Sequence, residues 1–366
     1  MSVTRLSVVG TGLIGASLGL AASRQGIEVV GWDPDATALV VAKERGAIAT
    51  AADSVAAAVA GADLVVVATP IQSLPARVAE VLAAVGPTTT VTDVGSTKAS
   101  VVAAASGSPR FVGGHPIAGS EARGPENANA DIFEGATWFL TPTGDTDPES
   151  HRLLHGFVSD LGATPIAIDA ESHDRLVALT SHVPHVLANV VANQTGAGKI
   201  AGHEPLANAG GSLRDMTRIA GANPKIWIDI FLDNADAVTD ALVEHRRRIE
   251  EVEGALRRRD ADFLAGWIGE AADNRRRMLD RAYNDAGALH RVRVHVSDEP
   301  GVFAGITQAL GAERINIEDF ELQHISPERG GTLSILIEGE AEARRAATML
   351  EAQGYGVSVS AVLDEG

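Results

Sequence analysis

The chain has 366 residues, 45% of them apolar, more than one ordinary core holds, and so points to two or three folded domains. Lysine and arginine total 30 against 48 aspartate and glutamate, a formal charge of -18 that argues against a general affinity for nucleic acid or an anionic membrane. Cysteine is absent, which excludes disulfides, thiolate nucleophiles and Cys-ligated metal centres and suits a reducing, cytoplasmic setting.

Met1 to Arg5 run straight into an apolar stretch without a signal-peptide pattern, and no apolar run reaches the about 18 residues of a membrane helix. The first half then alternates β-branched runs with Ala-rich helical stretches. Strands are predicted at Leu6 to Val9, Glu28 to Trp32, Leu64 to Ala68, Thr90 to Val94 and Phe111 to Gly113, a rhythm of parallel βαβ units.

Gly10-Thr11-Gly12-Leu13-Ile14-Gly15 follows the first of these strands and opens a helix. In that context the glycines permit a tight turn and close backbone approach, and the helix start holds a pyrophosphate. About 20 residues on, Asp33 ends the second strand and is placed to accept both ribose hydroxyls. No Arg or Lys lies between Asp33 and Lys43, so NAD is favoured over NADP. Ala68-Thr69-Pro70 either lies near the adenine or nicotinamide ribose or is a plain turn that ends a strand.

Asp93-Val94-Gly95-Ser96-Thr97-Lys98 sits where a strand gives way to a helix, at the edge where open α/β sheets bind ligands. Its glycine spacing is not that of a P-loop. The next strand delivers Gly113-Gly114-His115-Pro116-Ile117-Ala118-Gly119-Ser120-Glu121, read as a catalytic loop, to the same edge. For hydride transfer, His115 would accept a proton from a substrate alcohol while Ser96 orients the ring or the alcohol.

Around Asp169 the pattern changes to long helices, which places domain boundaries at 1–169 and 170–286. Ser181-His182-Val183-Pro184-His185 lies within a predicted helix, so Ser181 and His185 share a face and Pro184 bends the backbone. These histidines read equally as surface residues or ligands, and their spacing is not that of a zinc pair. Arg214 and Arg218 fall one turn apart, each either structural or a bidentate partner for a carboxylate. Asn223-Pro224 starts a long amphipathic helix through Trp227, Ile230, Phe231 and Leu242, and another runs from about Ala261 to Tyr283. Their arginine triplets interleave with acids, as on solvated helix faces rather than an RNA-binding patch.

Asn284-Asp285-Ala286-Gly287 reads as a linker to a last domain over 287–366. There Arg291 to Val296, Ile315 to Ile325, Thr332 to Ile337 and Gly356 to Val362 are predicted strands, the middle two flanking Pro327 and Gly330-Gly331. Helices are predicted at Gly301 to Glu313 and Glu340 to Gln353. The order is βαββαβ, the ferredoxin-like arrangement.

Taken in order, GTGLIG, DVGSTK, GGHPIAGSE, SHVPH, SLRDMTRIA and NPKIW resemble the prephenate dehydrogenase family and its arogenate-using relatives over nearly the whole chain. The resemblance implies a Rossmann domain binding NAD, then an all-helical domain forming most of a homodimer interface. It implies that His115 accepts the ring-hydroxyl proton, that Ser96 hydrogen-bonds to it and to the substrate, and that His185 and Arg218 bind the substrate's carboxylate and side chain. Ser181, His182 and Glu121 fit the supporting pocket, and Arg214 stands where a lysine is often found. The implied reaction turns prephenate and NAD into 4-hydroxyphenylpyruvate, carbon dioxide and NADH. Asp298-Glu299-Pro300-Gly301 and Ile315-Asn316-Ile317 resemble an ACT domain, with tyrosine or phenylalanine as the implied effector. Gly301 would receive its carboxylate and Asn316 is the matching candidate on the following strand; the alternative is a dimerisation module without a ligand. A β-hydroxyacid dehydrogenase would need a catalytic lysine, and neither Lys199 nor Lys225 sits in such a motif. A non-catalytic sensor of NAD and amino acid is the rival from another class, opposed by the presence of both Ser96 and His115.

Overall fold

In the computed structural model, which describes residues 3–119, 122–282, 288–326 and 330–362, the N-terminal half is built on an eight-stranded sheet. Its strands are β1 (Arg5–Val9), β2 (Glu28–Trp32), β3 (Thr50–Ala51), β4 (Leu64–Val67), β5 (Thr90–Asp93), β6 (Phe111–Pro116), β7 (Thr137–Thr141) and β8 (Thr164–Ala167). They are ordered β3-β2-β1-β4-β5-β6-β7-β8. The order reverses at β1, so β1 and β4 flank the crevice where doubly wound sheets bind dinucleotides.

Central strands of such a sheet are covered on both faces and so read as unbroken apolar runs. In Leu64-Val65-Val66-Val67, Leu64 and Val66 join one core with Leu6, Val8 and Leu18, while Val65 and Val67 join a second with Val9, Leu74 and Val91. The expectation of parallel pairing holds for every pair but one: β6 runs antiparallel to β7, pairing His115 with Phe139. His115 therefore stands on a strand rather than on the flexible loop expected, and that strand is held between β5 on one side and β7 on the other.

The helical part contains Ala170–Val177, a π-helical turn at Ala178–His182, Val183–Gly196, Gly211–Thr217 and Pro224–Asp233. Asp169 caps the first of these through Ser172 N at 2.8 Å, and Asn223 caps the last through Lys225 N at 3.1 Å, with Pro224 in the first turn. The single long helix expected through Leu242 is in fact two. Pro224–Asp233 ends at Asn234, and Ala235–Arg258 follows.

The chain divides into two compact units, 1–247 and 248–366. The second contains the helix Ala261–Ala282 and a four-stranded antiparallel sheet of β9 (Leu289–Val296), β10 (Asp319–Ser326), β11 (Gly330–Glu338) and β12 (Gly356–Ala361). With the helices Val302–Ala312 and Glu340–Ala352 it forms βαββαβ in the order β10-β11-β9-β12, the ferredoxin-like arrangement. Period-two alternation sets its core: Val292, Val294 and Val296 pack with Leu333, Ile335, Ile306 and Leu350, while Arg293 and His295 point away. β10 begins only at Asp319, so Asn316 precedes the strand instead of lying on it. The expected linker residues 284–287 and Pro327 lie outside the described residues. Among the described residues no helix is long and apolar enough to cross a membrane.

Candidate active site

The carboxyl end of β5 anchors the site. Asp93 is buried, and its Oδ2 accepts from Gly95 N at 2.8 Å and from the equally buried Lys98 Nζ, while its Oδ1 accepts from Gly114 N at 3.1 Å. One carboxylate thus ties the turn after β5 to the strand that carries His115. Burial pushes the Lys98 ammonium below its usual range, against the pull of Asp93, Asp174 and Asp233. Gly114 is required by close approach: a Cβ there would lie 2.6 Å from the Asp93 carbonyl oxygen.

His115 Nδ1 lies 2.9 Å from Nε2 of His173, and His173 Nδ1 lies 2.8 Å from Oδ1 of Asp174. Asp174 also accepts from the backbone N–H groups of Lys98 and Ala99, each at 2.8 Å, which docks the helix Ala170–Val177 onto the start of the helix Ala99–Ala104. Burial, followed by the charges of His173, Lys98 and His182, holds His115 well below the usual histidine range. Such a ring is neutral and able to accept a proton. Its Nε2 has no hydrogen-bond partner among the described residues.

Sequence reading did not select His173 and Asp174. The signal was a histidine in register with Val177 on the buried face of its helix, a pattern that also fits core packing. Ser96 lies half-buried in the turn before Thr97, and among the described residues it makes no hydrogen bond to His115, whose inner nitrogen is taken by His173.

The π-helical turn redirects the SHVPH segment. His182 points inward, only 2% exposed, with Nδ1 3.1 Å from the Asn234 amide nitrogen. His185 stacks on Trp227 with ring centroids 3.5 Å apart. Burial lowers its pKa, while a hydrogen bond with the Ile219 backbone opposes that shift and places the ring beside the segment that carries Arg218. Arg218 is exposed and has no carboxylate partner among the described residues. Arg214 donates to the Ala209 carbonyl at 3.2 Å, and Ser181 is half-buried. Glu121 lies outside the described residues.

The glycine loop fits a dinucleotide. Gly10 has φ 104°, and a Cβ on it would lie 2.5 Å from the Ala68 carbonyl oxygen; one on Gly15 would lie 1.9 Å from that of Gly10. Gly12 differs, with nothing within 4 Å of the position its Cβ would take. Two glycines therefore serve the turn and the packing of the Leu13–Arg24 helix, and the third leaves room for a pyrophosphate beside Leu13 and Ile14. Asp33 Oδ2 accepts from Thr11 N at 2.6 Å and its Oδ1 from Asp35 N at 2.9 Å, so the carboxylate is fixed at the end of β2. Next to Pro70, the Thr69 hydroxyl is buried without a partner among the described residues, a group a polar cofactor would satisfy. The fold also brings Arg77 over the Trp32 ring, 4.6 Å from its centroid, where Glu80 pairs with it. Spacing along the chain gave no sign of this cation.

Comparison with known proteins agrees with this geometry. The model of the prephenate dehydrogenase nucleotide-binding domain matches residues 18–167, and that of the prephenate dehydrogenase dimerization domain matches 169–270. Prephenate dehydrogenase of Bacillus subtilis (strain 168) is 33% identical over 355 residues, which covers 94% of this chain and 95% of that protein. The crystal structure of prephenate dehydrogenase from A. aeolicus in complex with hydroxyphenyl propionate and NAD+ superposes with a TM-score of 0.71 at 27% identity, covering 76% of this chain and 99% of that one. Synechocystis arogenate dehydrogenase gives 0.68 at 28% identity, over 74% of this chain and 98% of its own.

Proposed function

This chain belongs to the prephenate dehydrogenase family and is an NAD-dependent dehydrogenase, and we propose that it converts prephenate to 4-hydroxyphenylpyruvate and carbon dioxide. The observation that carries this reading is the His115 ring: its Nδ1 is held by His173 at 2.9 Å, and its Nε2, at the carboxyl edge of the sheet, has no hydrogen-bond partner among the described residues. When bound, NAD supplies the acceptor for the hydride that leaves the ring carbon bearing the hydroxyl.

His115 Nε2 takes the hydroxyl proton as the carbon becomes a carbonyl centre, and loss of the ring carboxylate aromatises the product, which makes the step effectively irreversible. Ser96 orients the hydroxyl. Arg218 and His185 hold the carboxylate and side chain of a dianion, so cationic groups concentrate locally in an acidic chain. Ser181, Arg214 and Glu121 complete the pocket, with His182 as its buried support. Gly10, Gly12, Leu13, Ile14, Gly15, Asp33, Thr69 and Pro70 hold the cofactor.

The same reading makes the protein a cytoplasmic homodimer. Ile228 and Leu232, one turn apart on the helix Pro224–Asp233, are each more than half exposed, as suits a face that pairs with a second copy. The C-terminal βαββαβ unit is read as an ACT domain that binds tyrosine. Gly301, with φ 91°, caps the helix Val302–Ala312 beside an opening lined by Asp298, Glu299 and Phe303. The Asn316 amide is engaged by Glu318 at 2.6 Å and would exchange that bond for the effector.

The test is NADH formation with prephenate, with arogenate, and with and without tyrosine. Prephenate turnover inhibited by tyrosine is expected. Turnover of arogenate alone moves the assignment to that substrate. If folded, NAD-binding protein yields NADH with neither, the reading is lost.

A further inference from the structure

We propose that His173 and Asp174 form a proton relay behind His115, fixing its ring proton on Nδ1 and receiving that proton when Nε2 takes the substrate's. The inference rests on the dehydrogenase reading above, but its first element is a property of the chain alone.

With one proton on each ring, hydrogen-bond bookkeeping leaves one arrangement. The Asp174 carboxylate only accepts, and it accepts from Lys98 N, Ala99 N and His173 Nδ1. A neutral His173 with its proton on Nδ1 has Nε2 as an acceptor, so the 2.9 Å contact requires His115 Nδ1 to donate. The outer nitrogen of His115 then carries the lone pair, as a base for the substrate hydroxyl must. The two rings meet edge to face at 5.1 Å, and the Phe139 ring closes against His173 at 5.3 Å, which locks both rotations.

The charges around the pair favour passing the proton inward. Lys98 and His182 bear on His115 from the β5 turn and the π-helical turn, and Asp93, Asp174 and Asp233 in turn bear on Lys98. Burial opposes a cation on either ring, and Lys98 opposes it further on His115. On His173 it lies 2.8 Å from a carboxylate oxygen. In the step, the substrate O–H bond breaks and an N–H forms at His115 Nε2, while the Nδ1–H of His115 breaks and an N–H forms at His173 Nε2. The electron pair of the broken C–H bond leaves as hydride for the nicotinamide. The pair of rings gains one proton in all, which retraces the path to the phenolate oxygen as loss of carbon dioxide aromatises the ring, so that the product leaves as the phenol.

His173→Gln separates relay from packing, because a Gln carbonyl oxygen accepts from His115 Nδ1 but cannot take its proton. In the full-length protein this variant is expected to lose roughly 10- to 100-fold in single-turnover hydride transfer, within the range of proton-transfer catalysis. KM for prephenate and affinity for NAD stay within about twofold, because the pocket itself is unaltered. In mixtures of H2O and D2O the wild-type rate should depend on deuterium content along a curve, from two protons in motion, and the variant's along a line. Nitrogen NMR of the wild-type protein without substrate should show His115 protonated at Nδ1. An unprotonated Nδ1, a linear wild-type dependence, or an undiminished rate in His173→Gln overturns the relay. The first of these is read without turnover and so stands apart from any failure of the prephenate assignment.

Discussion

The amide nitrogen of Asn234 lies 3.1 Å from Nδ1 of His182 and donates its other hydrogen to the Asp174 carbonyl at 2.8 Å. A nitrogen fixed as a donor makes His182 Nδ1 the acceptor, so that ring is neutral. Burial is the main cause that lowers its pKa to about 4; Asp174 opposes it, and His173 and His185 add to it.

An acid-labile fold follows. In the unfolded chain a histidine titrates near 6.5, so between about pH 6.5 and 4 the unfolded state binds the extra proton and the folded state does not. The stability that His182 contributes is therefore complete above the upper limit and falls as pH drops through this window, by on the order of 3 kcal/mol. His115 and His185 are shifted in the same direction and steepen the loss. Urea unfolding of wild type and His182→Gln, compared near neutrality and at about pH 4.5, measures it. The variant should lose less stability on acidification, and equal losses would assign the effect elsewhere.

The glycine loop separates binding from folding. Gly15→Ala places a methyl 1.9 Å from the Gly10 carbonyl oxygen and should unfold or grossly destabilise the nucleotide domain. Gly12→Ala meets nothing within 4 Å and has a φ of -68° that alanine adopts freely, so its melting temperature should match wild type. NAD affinity should nonetheless fall by roughly tenfold or more, about 1.4 kcal/mol, because the methyl occupies the approach of the pyrophosphate. Unchanged affinity, by titration calorimetry, would move the cofactor away from this loop.

Arg218 carries an exposed guanidinium without a carboxylate partner among the described residues. Arg218→Gln should raise KM for prephenate by roughly 10- to 100-fold, the range of a hydrogen bond to a charged group, with kcat less affected. Arg218→Lys should recover only part of this, because an ammonium lacks the bidentate fork. Steady-state kinetics in varied prephenate reads both, and an unchanged KM in Arg218→Gln removes this residue from the pocket.

Local patterns made much of this legible. The βαβ rhythm, the GxGxxG turn followed by Asp33, and the C-terminal βαββαβ order all depend on spacing within tens of residues, and each is present in the structure. The contacts that tune His115 are not local. His173 meets it across 58 positions, and the Asn234 amide reaches back 52 to His182. Asn234 also sits in an apolar periodicity that reads as one helix, and only the fold shows that the helix breaks there to release the amide. The π-helical turn escaped for the same reason: a shift of one residue in hydrogen-bond register leaves the order of side chains unchanged while it turns His182 inward.

The most direct test of the central claim is a paired measurement on His115→Asn, with NAD binding followed by tryptophan fluorescence and a single turnover of prephenate followed by NADH absorbance. NAD binding is expected to stay within about twofold of wild type, and hydride transfer to fall by at least about 10²-fold, the effect of removing a general base. NADH formation near the wild-type rate would contradict it, as would a parallel loss of binding and turnover, which would make His115 a structural residue.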